Sequence, residues 1–371
     1  MRYLAVIFGL LLLAAVTSDA FEVMLLPRRL RRTLRPVRIF FRSSWCAWTS
    51  IARHLKRGRR RDAFLSLFGP LSMVLLLLLW ASGLIISFAF LHWAAQGVRS
   101  VSLLSDFYLS GATFFTVGYG DVVPKTSLSR MLAIVESGAG LAFITVTISY
   151  LPVLYQLFSR RESRVIQLDA RAGSPPAASA LLCRHNDFEA MPELSDLLKE
   201  WEQWCAELVE SHLSYPMLSY YRSQHDNQSW LAALTAILDT CALLLTGFSG
   251  VRTFQARVTF ATGRLAAVEL CRVFHLKALA SATDRLPPDD FVQLERQLSE
   301  SGLTFSEADS AEERLRTLRS TYEPFMLALS RHFLLGLPPW MRGEEEVDNW
   351  QRSRGGAAAR EIFDTAPALP E

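Results

Sequence analysis

The sequence holds little of what enzyme chemistry leans on. Its five cysteines, Cys46, Cys183, Cys205, Cys241 and Cys271, stand far apart, with no CxxC pair and no histidine at zinc-finger spacing. That argues against a cysteine-ligated metal or a disulfide framework and leaves reduced, buried thiols. No GxGxxG follows a strand-like run, so a dinucleotide-binding module is not expected. P-loop, HExxH and triad-like patterns are missing too, His212, His225, His275 and His332 are scattered, and no enzyme is expected. Acid is nearly missing from one end: residues 1–62 carry 14 Lys/Arg against 3 Asp/Glu, whereas residues 160–371 carry 22 against 30. A chain of 371 residues so divided, half of them hydrophobic, fits two or three modules better than one soluble core.

Long apolar runs are present instead. Residues 3–26, 69–93 and 129–158 each provide the roughly 20 residues that a helix needs to cross about 30 Å of hydrocarbon. The first run has a loosely signal-like Ser18-Asp19-Ala20, but only Arg2 precedes its apolar core. Cleavage there would also leave outside the cell the next stretch, residues 27–61, which holds 13 Lys/Arg and no acid. The positive-inside rule places that stretch in the cytoplasm, so the first run reads as an uncleaved helix running out to in. The second run then goes in to out and the third returns. Asp19 and Glu22 lie late in the first helix, where a charge is costly, and pairing with Arg28 or Arg29 at the inner boundary is expected.

Between the second and third runs lies TFFTVGYGD, residues 113–121. The preceding SDFYLSGATFF has length for about three helical turns, with Ser105 or Asp106 as N-cap, too short to cross a bilayer. A half-helix followed by irregular backbone is tolerated at membrane depth only where protein or a water-filled cavity surrounds it, so this segment is expected to line a pore. An extended TVGYG can turn the carbonyls of Thr116, Val117, Gly118 and Tyr119 toward one axis, with the Thr116 hydroxyl at the inner end. Doing so requires alternating backbone hand, and Gly118 and Gly120 permit positive φ without a Cβ penalty.

Residues 116–121 resemble the selectivity filter and following aspartate of the potassium channel superfamily in its two-helix pore form, the resemblance covering about residues 64–160. It implies a K+ site at Thr116, Val117, Gly118, Tyr119 and Gly120. The negative end of the pore-helix dipole, near Phe115, would then face a central cavity. It further implies filter support by Asp121, with Tyr108 as its hydrogen-bond partner. Ala112 stands where some members carry a buried glutamate, which argues against that inactivation mechanism. One loop supplies a quarter of a ring, so a homotetramer is required.

In the third run, Gly138 and Gly140 resemble hinge glycines, although small residues also let membrane helices pack closely. Pro152 removes a helical hydrogen bond near the cytoplasmic end and is a further gating candidate. Glu136 lies in the outer half of this run, and the sequence does not decide what it faces. Arg29, Arg32, Arg35 and Arg38 recur every third residue as in a voltage sensor. Pro36, the extra Arg28 and Arg31, and the lack of two preceding helices favour an anchor on anionic headgroups instead. Phe41, Trp45, Trp48, Ala52 and Leu55 recur at helical spacing and predict a basic amphipathic helix lying in the membrane interface.

After a small-residue and proline stretch at 173–180, the pattern is helical to the C-terminus. Residues 230–250 are long and apolar enough to span, yet Asp239 in their middle favours a buried core helix. The fold expected is therefore an all-α membrane protein with three transmembrane helices per subunit, a pore helix with its filter loop, and an all-helical cytoplasmic domain. Its segments are a first helix (1–26), a basic linker (27–68), a pore domain (69–158), a second linker (159–186) and the helical domain (187–371). The function expected is passive K+ conduction across the inner membrane through a homotetramer, with no cofactor and no nucleic-acid partner. A non-conducting receptor or scaffold with a regulatory cytosolic domain is the alternative.

Overall fold

The computed structural model describes residues 2–24, 36–56, 58–96, 102–187, 190–280, 284–343, 347–351 and 356. Arg28, Arg29, Arg31, Arg32 and Arg35 lie outside these. The described residues form helices and connecting turns with no named strand; one antiparallel bridge joins Phe248 and Phe305. Two compact units emerge, residues 1–156 and 157–371.

In the first unit, α1 (Arg2–Met24) runs antiparallel to α4 (Phe68–Gln96), an arrangement visible in its contacts. Phe8 meets Phe90 edge to face at 5.1 Å. Gly9 lies against Ser87 and Leu91, and Val16 against Gly83, so small residues let the two backbones approach. Asp19, expected to pair with Arg28 or Arg29, is buried and accepts a 2.9 Å hydrogen bond from Trp80 Nε1. An indole on the neighbouring helix thus supplies one donor to this carboxylate, while Arg28 and Arg29, its expected partners, lie outside the described residues.

Helix α2 (Pro36–His54) is amphipathic as expected, but its apolar side is covered by protein. Trp48 stacks on Phe64 of α3 (Arg59–Ser66) at 4.4 Å and donates to the Phe64 carbonyl at 3.2 Å, while Trp45 meets Phe68 edge to face. Phe41, Trp45 and Ala52 are buried; Leu55 lies past the helix end and is exposed. A stripe of this kind satisfies lipid or protein equally well, and here α3 and the start of α4 cover it.

Helix α5 (Leu103–Phe114) is the short helix before the filter. Its N-cap is Ser102, whose hydroxyl accepts from Ser105 N, in place of the expected Ser105 or Asp106. Helix α6 (Ser127–Ala172) begins at Thr126, which accepts from Ser129 N, and includes Pro152 without interruption. It continues 14 residues beyond the expected end at 158, because a helix leaving the apolar zone keeps its backbone hydrogen bonds while its side chains turn polar.

The span 159–186, expected as a linker, is therefore structured: α6 fills it to Ala172, and α7 (Ala178–Asp187) follows a turn whose Ala177 and Ala178 are fully buried. The second unit starts at Leu157, thirty residues before the expected domain boundary. Its centre is α9 (Trp230–Gly247), surrounded by α8 (Met191–Ser214), α10 (Phe254–Phe274), α12 (Ala308–Ser320) and α13 (Glu323–Phe333), with α11 (Pro288–Glu300) against α7. Almost every residue of α9 is buried within the unit, Asp239 included, which accepts from Tyr322 Oη (2.5 Å) and Arg285 Nη2 (2.7 Å). Asp239 thus sits in a polar knot inside a protein core, the reading its charge had favoured.

Candidate functional site: the loop between the second and third spanning helices

The backbone of residues 115–120 leaves the α5 C-terminus by tight steps. Thr116 N donates to Thr113 O (3.0 Å), and Val117 N (2.8 Å) and Gly118 N (3.4 Å) both donate to Ala112 O. The Ala112 carbonyl therefore receives both amides. Positive φ occurs at Thr116 (56°), Gly118 (59°) and Gly120 (80°), with Val117 and Tyr119 between them on the ordinary side. This is the alternation that turning successive carbonyls one way demands. Two of the three positions are glycine, where it is free. The third is a β-branched threonine, a conformation that costs about 1–3 kcal/mol and occurs where surroundings over-determine it, commonly at functional sites.

Apolar residues here are bare within one chain: Val117 is 48 % and Tyr119 78 % exposed. Met131, Ile134, Val135, Leu141 and Ile148 of α6 are exposed as well. Tyr108 Oη donates to Asp121 Oδ1 at 3.1 Å, linking α5 to the residue after the filter. Phe114 is fully buried among Ala81, Leu84, Phe143, Leu13 and Val16. Gly140 lies directly beneath it: a Cβ there would fall 1.9 Å from the Phe114 carbonyl oxygen. Gly138 has nothing within 4 Å of such a position. Of the two hinge candidates, Gly140 is a packing glycine.

Behind α5 runs a polar column that the sequence reading did not assemble. Gln96 Nε2 donates to Asp106 Oδ1 at 2.5 Å, and Gln96 Oε1 accepts from Lys125 N at 3.2 Å. One turn earlier on α4, His92 Nδ1 lies 2.7 Å from Ser129 Oγ and His92 Nε2 lies 3.0 Å from Glu136 Oε2. Glu136 Oε1 hydrogen-bonds Ser110 Oγ, which also reaches Ile85 O at 2.8 Å. His92 and Glu136 are both 0 % exposed. A signal was present: His92 and Gln96, and Asp106 and Ser110, are polar pairs one turn apart, and Ser129 and Glu136 are two turns apart, all within apolar helices. No metal-binding cluster of His, Cys, Asp or Glu occurs among the described residues.

This geometry agrees with the comparisons. A family model described as ion channel matches residues 73–156. Residues 73–156 are thus an ion-channel segment. Two relatives match parts of the chain. An Arabidopsis thaliana protein named two-pore potassium channel 4 is 32% identical over 96 residues, covering 26% of this chain and 33% of that protein. A Bacillus subtilis (strain 168) protein named uncharacterized membrane protein YdjJ is 25% identical over 182 residues, covering 47% of this chain and 52% of its own. The chain thus spans about half or less of the length of these curated relatives. No solved structure matches. With a channel segment and several helices long and apolar enough to span, the chain is a multi-pass membrane protein.

Proposed function

We propose that this protein is a subunit of a K+-selective channel, conducting passively through a pore built from four copies. The alternating φ at Thr116, Gly118 and Gly120 carries the reading, because it suits a backbone that offers a row of carbonyls to a dehydrated cation. The similarity of part of the chain to the named plant potassium channel supports it. The bare Val117 and Tyr119 support assembly, since irregular backbone at membrane depth must face protein or a water-filled cavity and one loop supplies only part of a ring. We place the filter mouth outside and the C-terminal unit in the cytoplasm, on the positive-inside rule applied to residues 27–61. The inner membrane is the proposed location, anionic lipid the proposed partner of the basic stretch, and no chemistry beyond conduction is assigned.

K+ and Na+ flux into liposomes bearing the purified full chain tests this. K+-selective flux is expected, and Gly118→Ala should abolish it, because an added Cβ at φ 59° is strained whatever space surrounds it. Equal passage of K+ and Na+, or no flux from the unsubstituted protein, would overturn the proposal, the second outcome favouring the scaffold.

A further inference from the structure

Among the buried groups that conduction itself does not use, the His92–Glu136–Ser110 chain reaches furthest. It joins all three helices that frame the filter: His92 on α4, Ser110 on α5, Glu136 and Ser129 on α6. Bringing two ionisable side chains to 0 % exposure inside apolar helices is costly unless each hydrogen-bonding atom is met. Here each is. Ser110 has one hydroxyl hydrogen and two oxygen neighbours, Ile85 O and Glu136 Oε1. The count closes when Ser110 donates to Ile85 O and accepts from Glu136 Oε1–H. Glu136 Oε2 then accepts from His92 Nε2–H, and His92 Nδ1 accepts from the Ser129 hydroxyl.

We propose that Glu136, His92 and Ser110 are positioning residues that fix the pore helix along its axis and so set the discrimination of K+ from Na+. The inference rests on the channel reading. Its path is short. Ser110 lies two residues before Ala112, whose carbonyl receives both Val117 N and Gly118 N. Phe114, one turn on, is seated against Gly140 on the same helix as Glu136. A slide or roll of α5 released by loss of the Ser110 bond moves Ala112 O, and the filter amides follow it. Carbonyl rings distinguish K+ from Na+ by the number, placement and field of their oxygens, so displacement appears first as lost selectivity.

Bi-ionic reversal potentials in reconstituted full-length protein test this, with crosslinking as the measure of assembly. The unsubstituted protein must first show K+-selective current; if it does not, the channel reading fails and the clamp falls with it before any variant is made. Given that current, Glu136→Ala is expected to raise the Na+/K+ permeability ratio by on the order of tenfold. Glu136→Gln should hold the ratio within about twofold, because an amide still donates to Ser110 and accepts from His92. Ser110→Ala removes one hydroxyl and leaves volume nearly unchanged, so it serves if Glu136→Ala fails to assemble; a rise in the ratio is expected there too. Unaltered selectivity in Ser110→Ala, or equal damage from Glu136→Gln and Glu136→Ala in assembled protein, would overturn the proposal.

Discussion

Gly138 and Gly140 stand two residues apart on α6 with unlike surroundings, and the difference predicts unlike variants. A methyl group at Gly140 meets the Phe114 backbone, which cannot yield without moving the start of the 115–120 loop, whereas one at Gly138 meets nothing within 4 Å among the described residues. Overpacking of this kind costs about 1–3 kcal/mol. Gly140→Ala is therefore expected to lower the thermal midpoint of the detergent-solubilised protein and to impair K+ flux, with Gly138→Ala near the parent in both. His332, in the second unit, gives a pH prediction. Burial lowers its pKa from 6.5 to about 4, its ring lying against Phe274, Phe333 and Tyr220. A depressed folded-state value means that the unfolded chain takes up the proton first. The stability is thus complete above about pH 6.5 and is lost as pH falls toward about 4. His332→Phe should lose less stability than the parent between pH 7 and pH 5, followed by thermal melts of the full chain. Equal losses would show that His332 titrates normally.

At the scale of elements, what was legible in the sequence is what is locally encoded. The alternating backbone of residues 116–120 was legible at Gly118 and Gly120, where glycine permits positive φ, though not at Thr116, and the apolar runs were legible because hydrocarbon demands length. Less legible was whatever depends on a partner. Ser105 and Asp106 both suit an N-cap, but Asp106 is engaged by Gln96 from α4, and Ser102 caps instead. Glu136 had no decided neighbour until α4 and α5 brought His92 and Ser110 to it. The end of α6 was hidden because hydropathy stops near Phe158 while the helix continues through Arg160, Arg161 and Glu162. For α2, one stripe served two readings, and the covered face yields a prediction. Trp45→Ala with Trp48→Ala removes the ring contacts to Phe68 and Phe64 and the hydrogen bond to the Phe64 carbonyl. Local opening should become easier by about 2–3 kcal/mol, and tryptic cleavage at Arg53 and Lys56 faster by well over tenfold. Unchanged cleavage would mean that lipid, and not α3 and α4, holds the helix.

At the scale of the whole molecule, α6 raises the question of how much of the chain the pore needs. Forty-six helical residues extend about 69 Å, more than twice the hydrocarbon thickness of about 30 Å. The helix thus serves the first unit with its opening turns and the second with its last. Within the first unit, the described contacts around residues 113–121 include Phe114 with Gly140 and Phe143, Ser110 with Glu136, and Gln96 with Asp106 and Lys125. The second unit closes its own core, where Arg161 donates to the carbonyls of Leu218 (2.8 Å) and Tyr221 (2.7 Å), and Trp340 lies beneath Arg285 and Arg319. A chain ended after Arg160 is therefore expected to retain fourfold assembly by crosslinking and K+ selectivity in liposomes, because the groups that set filter geometry all remain. What is expected to change is the fraction of time spent open, because α6, which carries the gating candidate Pro152, would no longer continue into the second unit. A truncated protein that stays monomeric would show that the second unit, and not the apolar face of α6, drives assembly, and one that assembles but loses selectivity would place part of the filter's support beyond residue 160.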